Sequence, residues 1–211
     1  QCEVGGSAKV NLMAWCIGGA LSVSALSVMT PAEKKRIASA TFLTTLVDYS
    51  DHGDVGIFVD GPQIRAVEPR VRMKGVMPGQ DLAKAMAMLH AKDSIWHFYV
   101  NNYLLGDNIP PFDVLYWNSD TANVPGELYQ YYVENMYLEN LLRVPGALEL
   151  RGRKMDVGSI EAPCCFVSAT EDHIVPWRTT LMALELVSGP ADFLLTEGGH
   201  VSGIVINHPA K

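Results

Sequence analysis

The chain lacks the features that would tie it to a membrane or to nucleic acid. Its 211 residues contain no uninterrupted apolar run long enough to cross a bilayer, and no charged-then-apolar leader with a cleavage site. Basic residues are few, 16 against 23 acidic ones, and the net charge of −7 argues against nucleic acid or an anionic membrane as the main partner. We therefore expect a cytoplasmic protein without a transmembrane segment.

Cysteine is scarce, and its spacing excludes the sites that clustered cysteines form. The four cysteines are Cys2, Cys16, Cys164 and Cys165. They match neither zinc-ligand spacing nor a disulfide framework, which fits reduced thiols. His52, His90 and His97 show no metal-binding spacing, and the Gly-Gly pairs lack a phosphate-binding pattern. No metal or nucleotide cofactor is expected.

The chain also lacks an initiator methionine. It opens on Gln1, and its first residues look like the middle of a domain, so we expect a fragment. An apolar content of 48% with ordinary charge nevertheless excludes a disordered class. The length is enough for one sizeable domain with a buried core.

Residues 9–19 have the layout of a nucleophile elbow with a thiol in place of a hydroxyl. An alternating, strand-like run passes into a helix-forming segment, and Cys16 lies at the bend. Such a turn needs small residues two positions before and two after the nucleophile, and Ala14 and Gly18 meet that need. A helix N-terminus favours the thiolate form of such a cysteine. From this stretch alone, a buried cysteine that packs as a small apolar residue is an equally good interpretation.

The residues after the elbow predict an α/β pattern. Apolar residues at helical spacing predict a helix over 20–29, and residues 30–33 have the pattern of a capping box that opens a short helical turn. An apolar, β-branched run over 38–47 predicts a buried strand that ends at Asp48. Strand, elbow, helix and strand in this order indicate a parallel sheet.

The composition changes between about residues 61 and 150. Seven of the eight tyrosines fall there with several proline and asparagine residues, and strand alternation disappears. We predict helices over 80–90 and 128–142 and interpret the segment as a mostly helical cap inserted into the sheet domain. Most of its aromatic residues fit better as a small core of the insertion itself than as a binding surface.

The insertion also carries a loose basic run. Its members are Arg65, Arg70, Arg72 and Lys74. The run could meet the phosphates of an acyl carrier, but a solvated face explains it better.

After the insertion, an acid and a base follow the cysteine in order. Predicted strands over 162–169 and 193–196 lead to Asp172 and His200. Both residues, like Cys16, lie just past the C-terminal end of a predicted strand, the edge where open α/β sheets place their sites. The order of nucleophile, acid and histidine is that of α/β-hydrolases.

Two other residues compete for these roles. Asp48 also ends a strand, but it lies before the insertion, whereas Asp172 lies one strand before the histidine, which favours Asp172 as the acid. His173 is interpreted as structural. His200 follows the last strand on a Gly-Gly loop that lets its ring reach back to Cys16, so it is the expected base.

The motifs now assembled resemble the catalytic domain of the polyhydroxyalkanoate synthases over essentially the full length of the chain. They are Val10-Asn11-Leu12-Met13-Ala14-Trp15-Cys16-Ile17-Gly18-Gly19, Phe42-Leu43-Thr44-Thr45-Leu46-Val47-Asp48, Phe112-Asp113-Val114-Leu115-Tyr116-Trp117-Asn118-Ser119-Asp120, Tyr137-Leu138-Glu139-Asn140, Glu171-Asp172-His173-Ile174-Val175-Pro176-Trp177 and Gly198-Gly199-His200-Val201-Ser202-Gly203. The resemblance implies a partial α/β-hydrolase fold without its first strands. Residues 1–60 and 151–211 would form the hydrolase core and residues 61–150 the cap. One departure is Ala14, where the family usually has glycine.

The resemblance also implies the roles of the site residues. It places the family's catalytic cysteine, aspartate and histidine on Cys16, Asp172 and His200. Trp117 and Trp177 are the tryptophans of matching motifs and are candidates for substrate binding.

The elbow itself predicts part of an oxyanion hole. The backbone N–H of Ile17, the residue after the nucleophile, is the expected donor. A second donor normally comes from an earlier loop, which is missing here.

The implied activity is the polymerisation of 3-hydroxyacyl-CoA through a cysteine-bound acyl thioester, with release of CoA. Residues 137–140 favour short-chain substrates such as 3-hydroxybutyryl-CoA. Partners implied by the resemblance are the CoA thioester, the growing polyester chain, the granule surface and a second copy in a homodimer of the full-length protein. As an isolated polypeptide, the chain would expose residues 9–14 as a bare edge strand, and we expect poor solubility and little activity.

Two other functions stay open. A Cys-His-Asp hydrolase of the dienelactone hydrolase or thioesterase type would use the same three residues, although the long insertion and the Trp117 segment speak against it. A non-catalytic, granule-associated partner would not need Cys16 at all.

Overall fold

The computed structural model describes residues 6–89, 91, 95–108, 116–117 and 120–205. Along the chain, its elements are β1 (Val10–Trp15), α1 (Ile17–Ser27), α2 (Pro31–Lys34), β2 (Ile37–Leu43), a 3₁₀ turn (Gly53–Phe58), α3 (Gly61–Lys74), β3 (Val76–Met77), α4 (Gly79–Leu89), a π-helical turn (Tyr99–Leu104), β4 (Val124–Pro125), α5 (Gly126–Tyr132), a π-helical segment (Val133–Leu138), a 3₁₀ turn (Leu141–Arg143), β5 (Glu149–Leu150), β6 (Arg153–Lys154), a 3₁₀ turn (Val157–Ser159), β7 (Cys164–Ala169), α6 (Trp177–Met182), a 3₁₀ turn (Ala183–Glu185) and β8 (Ala191–Thr196).

The main sheet has four strands in the order β1-β2-β7-β8, and every neighbouring pair is parallel. One row of paired residues runs across it from Trp15 through Leu43 and Val167 to Leu194. The carboxyl ends of all four strands therefore meet at one edge, as the sequence pattern predicts. β1 lies at one end of this sheet.

The core of the sheet domain lies between the central strands and α1. Phe42 of β2 and Phe166 of β7 are fully buried and stack with their ring centroids 5.1 Å apart. Ala20 and Val23 of α1 are buried as well. Burying a side chain such as that of Val23 contributes about 1.5–3 kcal/mol, which helps to hold the helix that follows the elbow on the sheet.

The capping box predicted over 30–33 is confirmed. The Thr30 hydroxyl accepts a hydrogen bond from the Glu33 N–H at 3.3 Å, and the Glu33 carboxylate accepts one from the Thr30 N–H at 2.7 Å. Pro31 occupies the first turn of α2, where its missing N–H costs nothing.

The prediction of a strand over 38–47 is wrong at its C-terminal end, since β2 stops at Leu43. Thr44 takes a positive φ of 41°, which turns the backbone out of the strand, although its N–H still donates to Val167 O at 2.7 Å. Residues 44–48 are all buried, so the apolar run reflects an inward-turning loop. Hydrophobicity alone does not separate a buried loop from a buried strand.

The chain divides into two compact units, one formed by Gln1–Gly56 with Asn135–Lys211 and the other by Ile57–Glu134. The second unit contains α4, which confirms the predicted helix up to Leu89; His90 lies outside the described residues. The predicted limits of the cap, 61 and 150, stay a prediction. Among the described residues, no helix is both long and apolar enough to span a bilayer.

The sequence reasoning missed α3, which carries the basic run. The Asp60 side chain caps its N-terminus by accepting from the Gln63 N–H at 2.8 Å, and Gly75 ends it with a φ of 69°. Pro69 in its interior concealed the helix, because proline normally breaks one. The Asp-Gly-Pro start and the glycine stop were the signals that could have revealed it.

The predicted helix over 128–142 is correct only in part. Its α-helical portion, α5, ends at Tyr132 and continues as the π-helical segment, after which Asn140 takes a left-handed φ of 50°. The chain then resumes as the 3₁₀ turn that starts at Leu141. The break at Asn140 frees its amide for contacts described below.

Candidate active site

Cys16 is held in the strained backbone conformation of a nucleophile elbow. It lies between β1 and α1 with φ 53° and ψ −126°, a region that costs a non-glycine residue on the order of 1–3 kcal/mol. Two hydrogen bonds keep it there, because the Cys16 N–H donates to Leu43 O and its carbonyl accepts from Gly19 N–H, both at 2.9 Å. The turn directs the side chain to the carboxyl edge of the sheet.

Among the described residues, the closest approach to the elbow helix is at Gly19, one residue after the position expected from the sequence, and the requirement for a small residue at Gly18 stays a prediction. A Cβ at Gly19 would lie 1.9 Å from Thr45 Oγ1, a distance no side chain can adopt. A Cβ at Gly18 would meet no described atom within 4 Å beyond its own helix and chain neighbours. The helix therefore approaches the loop after β2 one residue later than the spacing rule indicates.

Asp172 lies in the loop after β7 and contacts the histidine. Its Oδ1 accepts hydrogen bonds from the N–H groups of Ile174 at 2.9 Å and Val175 at 2.8 Å. Its Oδ2 lies 2.8 Å from His200 Nδ1, whose N–H donates to it. Two backbone donors fix the carboxylate, so it holds the imidazole in a defined orientation.

His200 follows β8, and its ring is hydrogen-bonded to Asp172. Cys16 lies close enough to the same imidazole to act on its pKa. Burial alone would lower the pKa of His200. The hydrogen bond to Asp172, together with the influence of Cys16 and the negative charge of both, outweighs burial and raises the pKa to about 9.

The structure thus joins Asp172 to His200 by a hydrogen bond and places Cys16 near the same imidazole, at one edge of the sheet. A pKa of about 9 keeps the His200 ring protonated at neutral pH, with a sulfur and a carboxylate as its neighbours. This arrangement can activate a sulfur nucleophile and return a proton to a leaving group.

Asp48, the competing acid, is engaged elsewhere. Its Oδ2 accepts from Arg143 Nη1 at 2.6 Å, and its Oδ1 accepts from Asn140 Nδ2 at 2.9 Å and from the Ser50 N–H at 2.8 Å. Burial alone would raise the pKa of Asp48, but these hydrogen bonds and the Arg143 charge outweigh it and lower the pKa. Asp48 is therefore the buried partner of an ion pair whose arginine is 40% exposed.

The remaining predicted residues differ in how far their surroundings support them. Ile17 is the first residue of α1, so its backbone N–H has no acceptor within the helix and stands beside Cys16. Trp177 opens α6 under the guanidinium of Arg178, which lies 4.5 Å from its ring centroid. Trp117 is 58% exposed and belongs to the second unit.

Other candidates from the sequence have structural contacts. The His173 carbonyl accepts from the Asp54 N–H at 2.9 Å, which ties the acid loop to the loop after β2. In the basic run, Arg72 pairs with Glu68 at 2.9 Å, and Arg70 pairs with Asp81. Among the described residues, no three histidine, cysteine or acidic side chains cluster as a metal site.

Sequence reasoning missed one residue of the site, Trp15. Its ring lies 6.2 Å from that of His200, measured between centroids, with 30° between the planes. The only signal for it in the sequence is its position next to the nucleophile.

Comparison with solved structures defines the class of fold. The non-heme bromoperoxidase BpoC of Mycobacterium tuberculosis H37Rv is 13% identical with a TM-score of 0.52, over 97% of this chain and 64% of that one. The monoacylglycerol lipase of Paleococcus ferrophilus is 13% identical with a TM-score of 0.51, over 99% and 64%. At such identity the likeness establishes fold alone. The predicted partial α/β-hydrolase fold is confirmed.

Curated relatives match nearly the whole length of the chain. The chain is 38% identical over 206 residues to the poly(3-hydroxyalkanoate) polymerase subunit PhaC of Rhizobium meliloti, covering 98% of this chain and 33% of that protein. It is 37% identical over 214 residues to the PhaC subunit of Cupriavidus necator, covering 99% and 36%. No family model matches the chain. The chain is thus homologous to a segment of the poly(3-hydroxyalkanoate) polymerases, about a third of their length, which confirms the resemblance found in its motifs.

Proposed function

We propose that the intact protein polymerises 3-hydroxyacyl-CoA, with 3-hydroxybutyryl-CoA as the expected substrate, through an acyl thioester on Cys16. The observation that carries the proposal is the hydrogen bond between His200 and Asp172, together with the effect of nearby Cys16 on the pKa of the same imidazole. The names of the relatives, poly(3-hydroxyalkanoate) polymerases, supply the substrate class. No cofactor is required, because the CoA thioester is itself the activated substrate.

In the first step, His200 takes the proton of the Cys16 thiol, and the resulting thiolate attacks the thioester carbonyl carbon. A new carbon–sulfur bond to Cys16 forms, the bond to the CoA sulfur breaks, and protonated His200 gives its proton to the departing thiolate. One thioester replaces another, so the step is nearly balanced in energy. The acyl group on sulfur stays reactive towards an alcohol, which suits chain growth.

In the second step, neutral His200 removes the proton from the hydroxyl of another acyl unit. The alcohol oxygen attacks the acyl-cysteine carbonyl, an ester bond forms, and the Cys16 thiolate is released. Asp172 orients the ring and stabilises the imidazolium in both steps, as the acid does in serine triads. Water must be excluded, since water at the same carbonyl would end the chain.

The carbonyl oxygen gains negative charge in both steps. We assign the Ile17 N–H as one donor to it, because the first amide of a helix is directed at this position. Loss of one such donor typically costs on the order of a hundred- to a thousand-fold in rate.

The partners and location of the intact protein belong to the same proposal. A polymerase of this kind would hold the growing polyester at a cytoplasmic granule surface and act as a homodimer. Trp117 and Trp177 are assigned to substrate binding on their place in the family motifs.

The test is to assay the intact protein with 3-hydroxybutyryl-CoA and a medium-chain analogue while measuring CoA, polymer and free acid. We expect polymer with stoichiometric CoA release, preferentially from the short-chain substrate. Cys16→Ala should lower the rate by roughly 10⁴-fold or more, whereas Cys165→Ala, a matched change on β7, should leave it within about twofold.

Free acid in place of polymer would support the Cys-His-Asp hydrolase instead. Unchanged function in Cys16→Ala would indicate a non-catalytic, granule-associated protein. Either result contradicts the proposal.

A further inference from the structure

We propose that Trp15 is a positioning residue that holds the imidazole of His200 in the orientation from which it reaches both Cys16 and Asp172. The inference rests on the proposed function only in taking His200 as the base. It starts from the ring contact between Trp15 and His200, 6.2 Å between centroids with planes 30° apart.

The hydrogen bond to Asp172 does not by itself fix the imidazole. A ring held at Nδ1 can still swing about its Cβ–Cγ bond, and a swing would carry Nε2 away from the sulfur. A flat side chain that lies beside the ring, tilted 30° from it, opposes this motion, because a swing would push one edge of the imidazole towards it. Trp15 is such a side chain.

The elbow makes this support rigid. Trp15 is the last residue of β1 and pairs with Leu43, whose carbonyl accepts the N–H of Cys16 at 2.9 Å. The indole and the nucleophile are therefore neighbours on one hydrogen-bonded turn. A displacement of either one would disturb the alignment of sulfur and imidazole.

The contacts of β1 distinguish Trp15 from an ordinary core residue. Residues 13 and 15 share one face of the strand, and Met13 on that face is 72% exposed. Trp15 is only partly buried, and it lies on the opposite face of the sheet from Phe42, because Phe42 pairs with Ala14. The indole at this position therefore lies beside the imidazole of His200.

A second effect acts in the same direction. An imidazole that is free to swing makes weaker hydrogen bonds, and the hydrogen bond to Asp172 is one of the interactions that raise the pKa of His200. The ionisable groups that act on the imidazole are Cys16 and Asp172. Glu171 and Glu197 lie on the adjacent loops and are exposed. Loss of the indole should weaken the contacts that keep the ring protonated.

The test compares Trp15→Leu and Trp15→Phe in the intact protein. Carbon NMR of the histidine rings measures the pKa of His200 without substrate. The signal of His200 is assigned by its disappearance in His200→Gln. We expect Trp15→Leu to lower that pKa by about half a unit or more from its value near 9. We also expect kcat to fall about tenfold with little change in KM, and Trp15→Phe to restore most of both.

Trp96→Leu is the matched control, because Trp96 is exposed and packs edge-on against Tyr99, and it should leave the titration of His200 unchanged. An unchanged or raised pKa in Trp15→Leu, or an equal loss in Trp15→Phe, overturns the inference. If Trp15→Leu does not fold, nuclear Overhauser contacts between the indole and the imidazole decide in the wild type, and their absence overturns it. These readouts need no polymer, so they are separate from the test of the polymerase activity.

Discussion

Two loops at the carboxyl edge of the sheet, one after β2 and one after β7, carry nearly the same arrangement. Asp48 and Asp172 are both buried, and each accepts two N–H bonds at Oδ1 and one side-chain bond at Oδ2. The Oδ2 partner is Arg143 for Asp48 and His200 for Asp172. An arginine keeps its proton in a protein, whereas a histidine can release it, so only the second loop is suited to acid–base chemistry.

The largest expected difference between the two loops is in catalysis. In the intact protein, Asp172→Asn should lower the rate of CoA release by roughly 10⁴-fold, as removal of the acid does in serine triads. Asp48→Asn should stay within about tenfold of the wild type, because Asp48 contacts Arg143 and Asn140. Steady-state rates at saturating substrate measure both, and equal losses would show that the loops do not differ in this way.

The Asp48 carboxylate should matter more for the unfolding free energy than for catalysis. Asp48→Ala removes a carboxylate that is 1% exposed and leaves Arg143, Asn140 and the Ser50 N–H without their acceptor, which should cost about 3 kcal/mol in unfolding free energy. Denaturant unfolding measures it. Glu68→Ala, which breaks the exposed pair with Arg72, should cost less than about 0.5 kcal/mol. A similar cost for both variants would contradict this role of Asp48.

The smallest expected difference between the two loops is in how the unfolding free energy depends on pH. His200 has a raised pKa, so it stabilises the folded state fully below about pH 6.5, by up to about 3 kcal/mol. This contribution to the unfolding free energy is lost as the pH rises through about 9. Asp48 has a lowered pKa, so its stabilisation is present above the ordinary value of 3.8 and is lost as the pH falls through the lowered one.

Unfolding curves of wild type and His200→Gln between pH 6 and pH 10 isolate the first effect. The alkaline decline should disappear in the variant. If it persists unchanged, His200 is not its source.

Local patterns were predictable from the sequence. The elbow at Cys16, the capping box at Thr30 and the order of the three site residues depend on neighbours in the chain or on where strands end, and the structure has them in these places. The early end of β2 and the close approach at Gly19 were not predictable. They depend on how the loop after β2 packs against α1, and no local pattern encodes that contact.

The sequence also did not reveal which side chains contact each of the two aspartates. Asp48 and Asp172 both follow sheet strands, and only the fold shows that Arg143 and Asn140 return to the first of them. The left-handed turn at Asn140 that makes this contact interrupts what appears in the sequence as one helix. Trp15 was missed for the same reason, since its neighbour comes from the far end of the chain.

The contact between Gly19 and Thr45 has a practical consequence for protein engineering. In a library that randomises the turn around the cysteine, a Cβ at position 18 meets no described atom within 4 Å outside its own helix, whereas a Cβ at position 19 collides with Thr45. Larger residues at position 19 become accessible only together with a smaller one at position 45. The two positions should therefore be diversified as a pair.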